Sequence, residues 1–197
     1  MEVEQAKPKI VPIAAPRTGK KNILIVTNDS EVTISNKLEA AGDLFGGRVT
    51  EIREFVKSLE EEFGEEGSNT MNISFGLITT FFGFVPSNYS IYRYKYAMSN
   101  KEEYLLTQKE RDYAGRLEYV SRGFDKVIIC VPKEMFRILV DNDALHNGKI
   151  IAVTSKDFKG LCEEREWIYL ERKGARLGKK NAEKVRNYLR ELNAGTS

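Results

Sequence analysis

Two cysteines and one histidine are few for a chain of 197 residues. Cys130 and Cys162 are too few for a disulfide framework. With His146 as the only histidine, a zinc site lacks ligands, so no metal is expected. No stretch approaches the roughly 20 apolar residues that cross a bilayer, so no membrane partner is expected. The first residues, MEVEQAKPKIVPIAAP, mix charges early and make a poor signal peptide, which leaves the cytoplasm as the expected compartment. G-x-G-x-x-G, G-x-S-x-G and H-E-x-x-H are all missing, and nothing implies a cofactor. Gly19-Lys20-Lys21 has the letters that end a phosphate loop, but it precedes the first strand instead of following one.

What is present describes an ordinary globule, 41% hydrophobic and 30% charged, with a net charge of +2. That balance is too mild to argue nucleic-acid binding by itself. The charges are segregated, however. Glu60, Glu61, Glu62, Glu65 and Glu66 form an acidic block, and Arg172 to Arg190 is rich in lysine and arginine. A binding patch and a network of ion pairs are competing readings of that asymmetry.

Residues 1–20 contain Pro8, Pro12 and Pro16 and read as a flexible N-terminal arm. Residues 21–197 read as a single α/β domain with a mostly parallel central sheet and helices on both faces. Continuous apolar runs mark strands at Asn22–Thr27, Met71–Thr80, Lys126–Val131 and Lys149–Thr154, with an edge strand at Glu166–Leu170. Val49–Ile52 suggests one more short strand. Ile34, Leu38 and Ala41 recur at helical spacing, as do Phe55, Leu59 and Phe63 within a helix over Glu54–Phe63. Further helices are predicted over Lys101–Ser121, Met135–Val140 and Asn181–Leu192. In the first of these, Leu106, Tyr113, Leu117 and Val120 share a face.

The least ordinary stretch is Ile73–Asn100, which starts as a strand and becomes a loop carrying Gly83, Pro86 and four tyrosines. A long loop at the end of a central strand often carries function. In open α/β sheets, ligands bind beyond the carboxyl ends of the strands, where the strand order reverses. Those ends are Asn28-Asp29-Ser30, Thr79-Thr80, Pro132-Lys133 and Thr154-Ser155-Lys156. The candidate ligand-binding residues are therefore Asn28, Ser30, Thr79, Thr80, Tyr92, Arg93, Tyr94 and Lys133. Asp29 is the candidate acid–base group. Hydroxyls and backbone N–H groups at helix starts hold anions, and tyrosines stack on bases. Asn28, Asp29 and Ser30 also fit plain helix capping. Phe81, Phe82 and Phe84 fit the core better than a base platform. Asp141, Asp143 and His146, in DNDALH, fit a turn better than a metal site.

Thr79–Leu139, about a third of the chain, resembles the α/β domain appended to archaeal archaeosine synthase and related transglycosylase-like proteins. The resemblance is carried by Gly83-Phe84-Val85-Pro86, the tyrosine loop Tyr92 to Tyr96, Lys101-Glu102-Glu103 and Asp125-Lys126-Val127-Ile128. It implies a stand-alone module connected with nucleic-acid or nucleotide handling, possible partners being RNA or a nucleotide. The zinc-ligand and RNA-binding segments of the full-length modification enzymes have no counterpart here. Three functions remain open on the sequence. The first is a nucleic-acid or nucleotide-binding domain. The second is an enzyme acting on a nucleotide or glycosidic bond. The third is a structural protein whose tyrosine loop buries against a second copy in a homo-oligomer.

Overall fold

The computed structural model describes residues 19–172, 174 and 176–195. The first eighteen residues of the N-terminal arm lie outside them. In chain order the elements are β1 (Lys21–Asn28), β2 (Glu39–Ala40), α1 (Ala41–Leu44), α2 (Arg48–Phe63), β3 (Met71–Thr79), β4 (Gly83–Pro86) and β5 (Ser90–Ile91). They continue with α3 (Lys101–Arg111), α4 (Tyr113–Ser121), β6 (Lys126–Ile129), α5 (Lys133–Asp141), β7 (Ile150–Thr154), a 3-10 turn (Lys156–Phe158), α6 (Lys159–Glu164), β8 (Ile168–Glu171) and α7 (Lys179–Ala194). No helix among the described residues is long and apolar enough to cross a membrane.

Six strands form one sheet in the order β4-β3-β1-β6-β7-β8, and all its pairings are parallel except β3 with β4. β1 is buried on both faces, as its unbroken apolar run predicts. Ile23 and Ile25 pack with α1, α2 and α7, while Leu24 and Val26 pack with α3, α4, α5 and α6. The fold is thus α/β with helices on both faces. The chain leaves β1 for β3 on one side, then crosses back to β6 on the other. The order reverses between β1 and β6, and a crevice opens beyond their carboxyl ends.

Three predicted segments take another form, and the tyrosine loop holds two short strands, β4 and β5, that were not predicted. The segment holding Ile34 and Leu38 is not a helix, and Val32, Ile34 and Leu38 are largely exposed. Val32, Thr33 and Ile34 are consecutive β-branched residues, which crowd a helix. Ser30 Oγ accepts from Val32 N–H and Ser35 Oγ from Lys37 N–H, so local turns replace helical bonds.

Val49–Ile52 is not a strand but the first turn of α2. Val49, Ile52, Phe55, Val56, Leu59 and Phe63 are all buried, an i, i+3, i+4 stripe that outweighs the strand preference of the β-branched residues. Gly64 N–H donates to Glu60 O at 2.8 Å and closes the helix.

The helix expected over Lys101–Ser121 is two. Asp112 takes a left-handed conformation, φ 47° and ψ 52°, and its carboxylate accepts from Gly115 N–H at 3.1 Å, capping α4. The break turns Leu106 outward to solvent, while Tyr113 and Leu117 stay in the core.

Candidate functional site

β1 ends in Thr27 and Asn28 and is followed by Asp29, polar residues that are nonetheless buried. Asp29 is the hub. Its Oδ2 accepts from Thr80 N–H and Thr80 Oγ1–H, each at 2.7 Å, and from the Tyr94 hydroxyl at 2.5 Å. Thr80 Oγ1 accepts in turn from Met98 N–H at 3.0 Å. One carboxyl group therefore ties the end of β1 to the end of β3 and to both halves of the tyrosine loop. Burial pushes the Asp29 carboxyl above its usual range, and the bonds from Tyr94 and Thr80 and the charge of Arg48 only partly offset that. Burial, followed by the neighbouring Asp29, pushes the Tyr94 hydroxyl up as well. Tyr94 also packs edge-on against Phe81 and tilted against Phe45.

Arg48 joins this hub to open space. It is the first residue of α2, behind Gly47 at φ +61°, and no side chain caps the helix start. Arg48 Nη2 donates to Asp29 O at 2.7 Å. On its other side Arg48 lines a cleft of about 440 Å³ at the reversal of strand order. Ser99 and Tyr104 form one wall of that cleft, Val131, Pro132 and Lys133 the end of β6, Ser155 the end of β7, and Arg172 and Gly174 the exit from β8. Three cations face the space, and among the described residues no carboxylate is part of its wall. Burial lowers the Arg172 pKa, and the charge of Arg48 adds to that lowering. Burial raises the Tyr104 hydroxyl. Lys133 is ion-paired with Asp157 at the rim, where both are about half exposed.

Several buried polar atoms at this edge have no hydrogen-bond partner among the described residues: Asn28 Oδ1, Asp29 Oδ1, Arg48 Nε and Thr154 Oγ1. Such atoms are rare in folded proteins, and their gathering at one edge marks it.

The residues singled out in the sequence fall into three groups. Asp29, Thr80 and Tyr94 are joined directly, with Asn28 beside them, its Nδ2 donating to Asp29 O. Lys133 lines the cleft itself. The others lie apart. Thr79 Oγ1 donates to Gly83 O and closes the β3–β4 turn, and Ser30 holds its own turn. Arg93 is bonded to Asn36 at the surface, and Tyr92 is 70% exposed. Phe84 is core, but Phe81 is 43% exposed. His146 Nε2 lies 3.2 Å from Glu118 O, and no group of three metal-ligating side chains occurs among the described residues. Cys130 is buried directly after β6, where burial pushes its thiol up to about 11, so it is a core residue.

Arg48, Ser99, Tyr104 and Arg172 were not legible as site residues. Arg48 was hidden by the strand-like letters that follow it, and Arg172 by the basic run to which it belongs. The signal that could have found Arg48 is Gly46-Gly47 directly before an arginine and an apolar helical stripe. No protein-family model, curated protein or solved structure matches the chain.

Proposed function

We propose that the protein binds a small phosphate-bearing ligand of the nucleotide class in the cleft beyond β1 and β6. The observation that carries this reading is the convergence of Arg48, Lys133 and Arg172 on a cleft at the reversal of strand order whose described wall holds no carboxylate. Arginine forks match phosphate oxygens, and Arg48 stands at the start of α2, whose dipole favours an anion. The volume suits a small ligand, for which pockets of about 300–1,000 Å³ are usual. Tyr104, Val131 and Pro132 supply the apolar surface that a base or sugar needs. Asp29 serves as a positioning residue, because it holds Arg48 through its carbonyl and the tyrosine loop through its carboxyl.

The same contacts favour a nucleotide over a nucleic-acid strand. Arg186 and Arg190 of the basic C-terminal segment turn onto Glu62 of α2, at 3.7 and 2.6 Å. In the tyrosine loop, Tyr94 is held by Asp29, and a hydrogen bond to Glu103 raises the Tyr96 hydroxyl to about 12. That leaves Tyr92 as the tyrosine most open to stack on a base.

Calorimetric titration with a panel of nucleotides at low salt tests the reading. Binding that weakens at least tenfold, about 1.4 kcal/mol, in Arg48→Ala supports it. Equal affinity in wild type and Arg48→Ala, with both proteins folded, places the ligand elsewhere.

A further inference from the structure

β3 is longer than its outer neighbour. It runs nine residues, Met71–Thr79, but β4 pairs only with Gly76 to Thr79. After Pro86 the chain bonds once more to the strand, Ser87 N–H to Phe75 O at 2.9 Å, and then turns away through Tyr89 N–H to Pro86 O. Backbone groups alternate between the two edges of a strand. Even-numbered residues of β3 face β1, since Thr70 O accepts from Lys21 N–H and Ile78 O from Asp29 N–H. Odd-numbered residues therefore face outward, and Ile73 N–H and C=O have no partner among the described residues. An open edge of this kind is a template for one more strand.

That edge lies along a groove. Two adjoining clefts, of about 470 and 670 Å³, share Lys57, Glu60 and Ile73 and follow β3 from Met71 to Phe75, between α2 and the exit of β4. Glu60, Glu61, Glu66 and Asp43 stand on the walls. The cations among the described wall residues are Lys57 and Arg53, and each lies 4.0 Å from a carboxylate of its own, Glu61 and Asp43. Partial desolvation, and then the negative charge of Glu66, push the Glu60 carboxyl above its usual range. The groove thus favours a chain segment that is basic as well as extended.

This chain holds such a segment. Residues 7–17, KPKIVPIAAPR, carry Lys7, Lys9 and Arg17, no carboxylate, and the apolar Ile10, Val11 and Ile13. The prolines, Pro8, Pro12 and Pro16, are all even-numbered. In an extended segment the odd-numbered N–H groups share one side, so that side can pair without interruption while every proline falls on the other. That is the proline pattern of an edge strand. The segment also leads to the groove. Lys20 bonds to Asn69, and Lys21 N–H donates to Thr70 O at 3.2 Å, beside Met71. Crossing from the β1 side of β3 to its outer side takes about 10 Å, which about three extended residues span.

We propose that the open half of β3 and its acidic groove dock residues 7–17 of this chain as an added edge strand. Because the segment leads into the start of β1, it runs antiparallel to β3, in line with β4. The docking site stands at the amino ends of the strands, away from the cleft beyond β1 and β6, and does not depend on what that cleft binds.

Amide hydrogen exchange of the full chain, followed by NMR, is the test. The Ile73 amide is expected to exchange at least about tenfold more slowly in wild type than in Ile13→Pro, which removes an N–H on the pairing side. Ala14→Pro puts its proline on the other side and is expected to leave Ile73 within about twofold of wild type. Glu60→Gln combined with Glu66→Gln weakens the attraction and is expected to speed Ile73 exchange at least about threefold. Asn72 and Ser74, whose amides face β1, keep their rates in the proline variants and report that the sheet is intact. Ile73 exchange as fast in wild type as in Ile13→Pro, or equal effects of Ile13→Pro and Ala14→Pro, overturns the proposal. Protection of Ile73 that disappears on dilution assigns the groove to residues 7–17 of a second copy and overturns docking within one chain.

Discussion

Tyr94 donates its hydroxyl to Asp29 Oδ2 at 2.5 Å, joining residues 65 positions apart. This bond holds the tyrosine loop against the end of β1. Tyr94→Phe removes one of three donors to Oδ2 and is expected to cost about 1–2 kcal/mol in urea unfolding. Asp29→Ala strands all three donors and is expected to cost about 2–4 kcal/mol. Asp29→Asn keeps an acceptor toward Thr80 and Tyr94 and should cost less than Asp29→Ala. If Asp29→Ala is as stable as wild type, the hub does not hold the edge together.

The raised pKa of Asp29 has a definite sign in stability. Its folded-state value lies above the ordinary 3.8, so the folded form binds its proton more tightly than the unfolded chain does. The resulting stabilisation is complete below about 3.8 and is lost as pH rises through the raised value. Wild type should therefore lose stability relative to Asp29→Asn as pH climbs out of the acid range. Denaturation at several pH values checks this, and a difference between the two proteins that stays constant with pH would refute it.

Glu103 behaves in the opposite sense. The Tyr96 hydroxyl, with Ser99 N–H, lowers its carboxyl to about 2. Its contribution is present above the ordinary 4.5 and is lost as pH falls through about 2. In Tyr96→Phe the side-chain titration of Glu103, followed by carboxyl NMR, should move up toward the ordinary value. An unchanged midpoint would mean that Tyr96 does not hold Glu103.

Asp112 does two jobs at the α3–α4 break, as a left-handed residue and as the cap of α4. Asp112→Ala loses the cap and takes on the Cβ penalty of positive φ, for a cost of about 1–3 kcal/mol. Asp112→Asn keeps both roles and should stay within about 0.5 kcal/mol of wild type. Thermal unfolding of the pair separates these effects. Equal destabilisation by both would show that the break needs the carboxylate charge.

The fold was largely legible because strands buried on both faces spell themselves out, as Ile23 to Val26 do in β1. The first turn of α2 was not, since Val49, Thr50 and Ile52 favour a strand locally and the burial of Val49 and Ile52 in the core holds the turn helical. Ile34 and Leu38 show the reverse: their spacing is helical, but they stay half exposed and no buried stripe forms. The hub's carboxylate and its donors were legible, Asn28, Asp29 and Thr80 from strand ends and Tyr94 from the tyrosine loop. The cleft cations were not, because Arg48 and Arg172 enter from a helix start and a strand exit that only the strand order brings together.

The most direct test maps the ligand on the protein by titrating a ribonucleoside monophosphate into isotope-labelled chain and following the backbone amides. The account predicts shifts concentrated at Arg48, Ser99, Val131, Lys133 and Ser155, around the crevice between β1 and β6. Shifts confined to the opposite end of the sheet, near Met71 and Asn72, or no shifts at millimolar ligand, would contradict it.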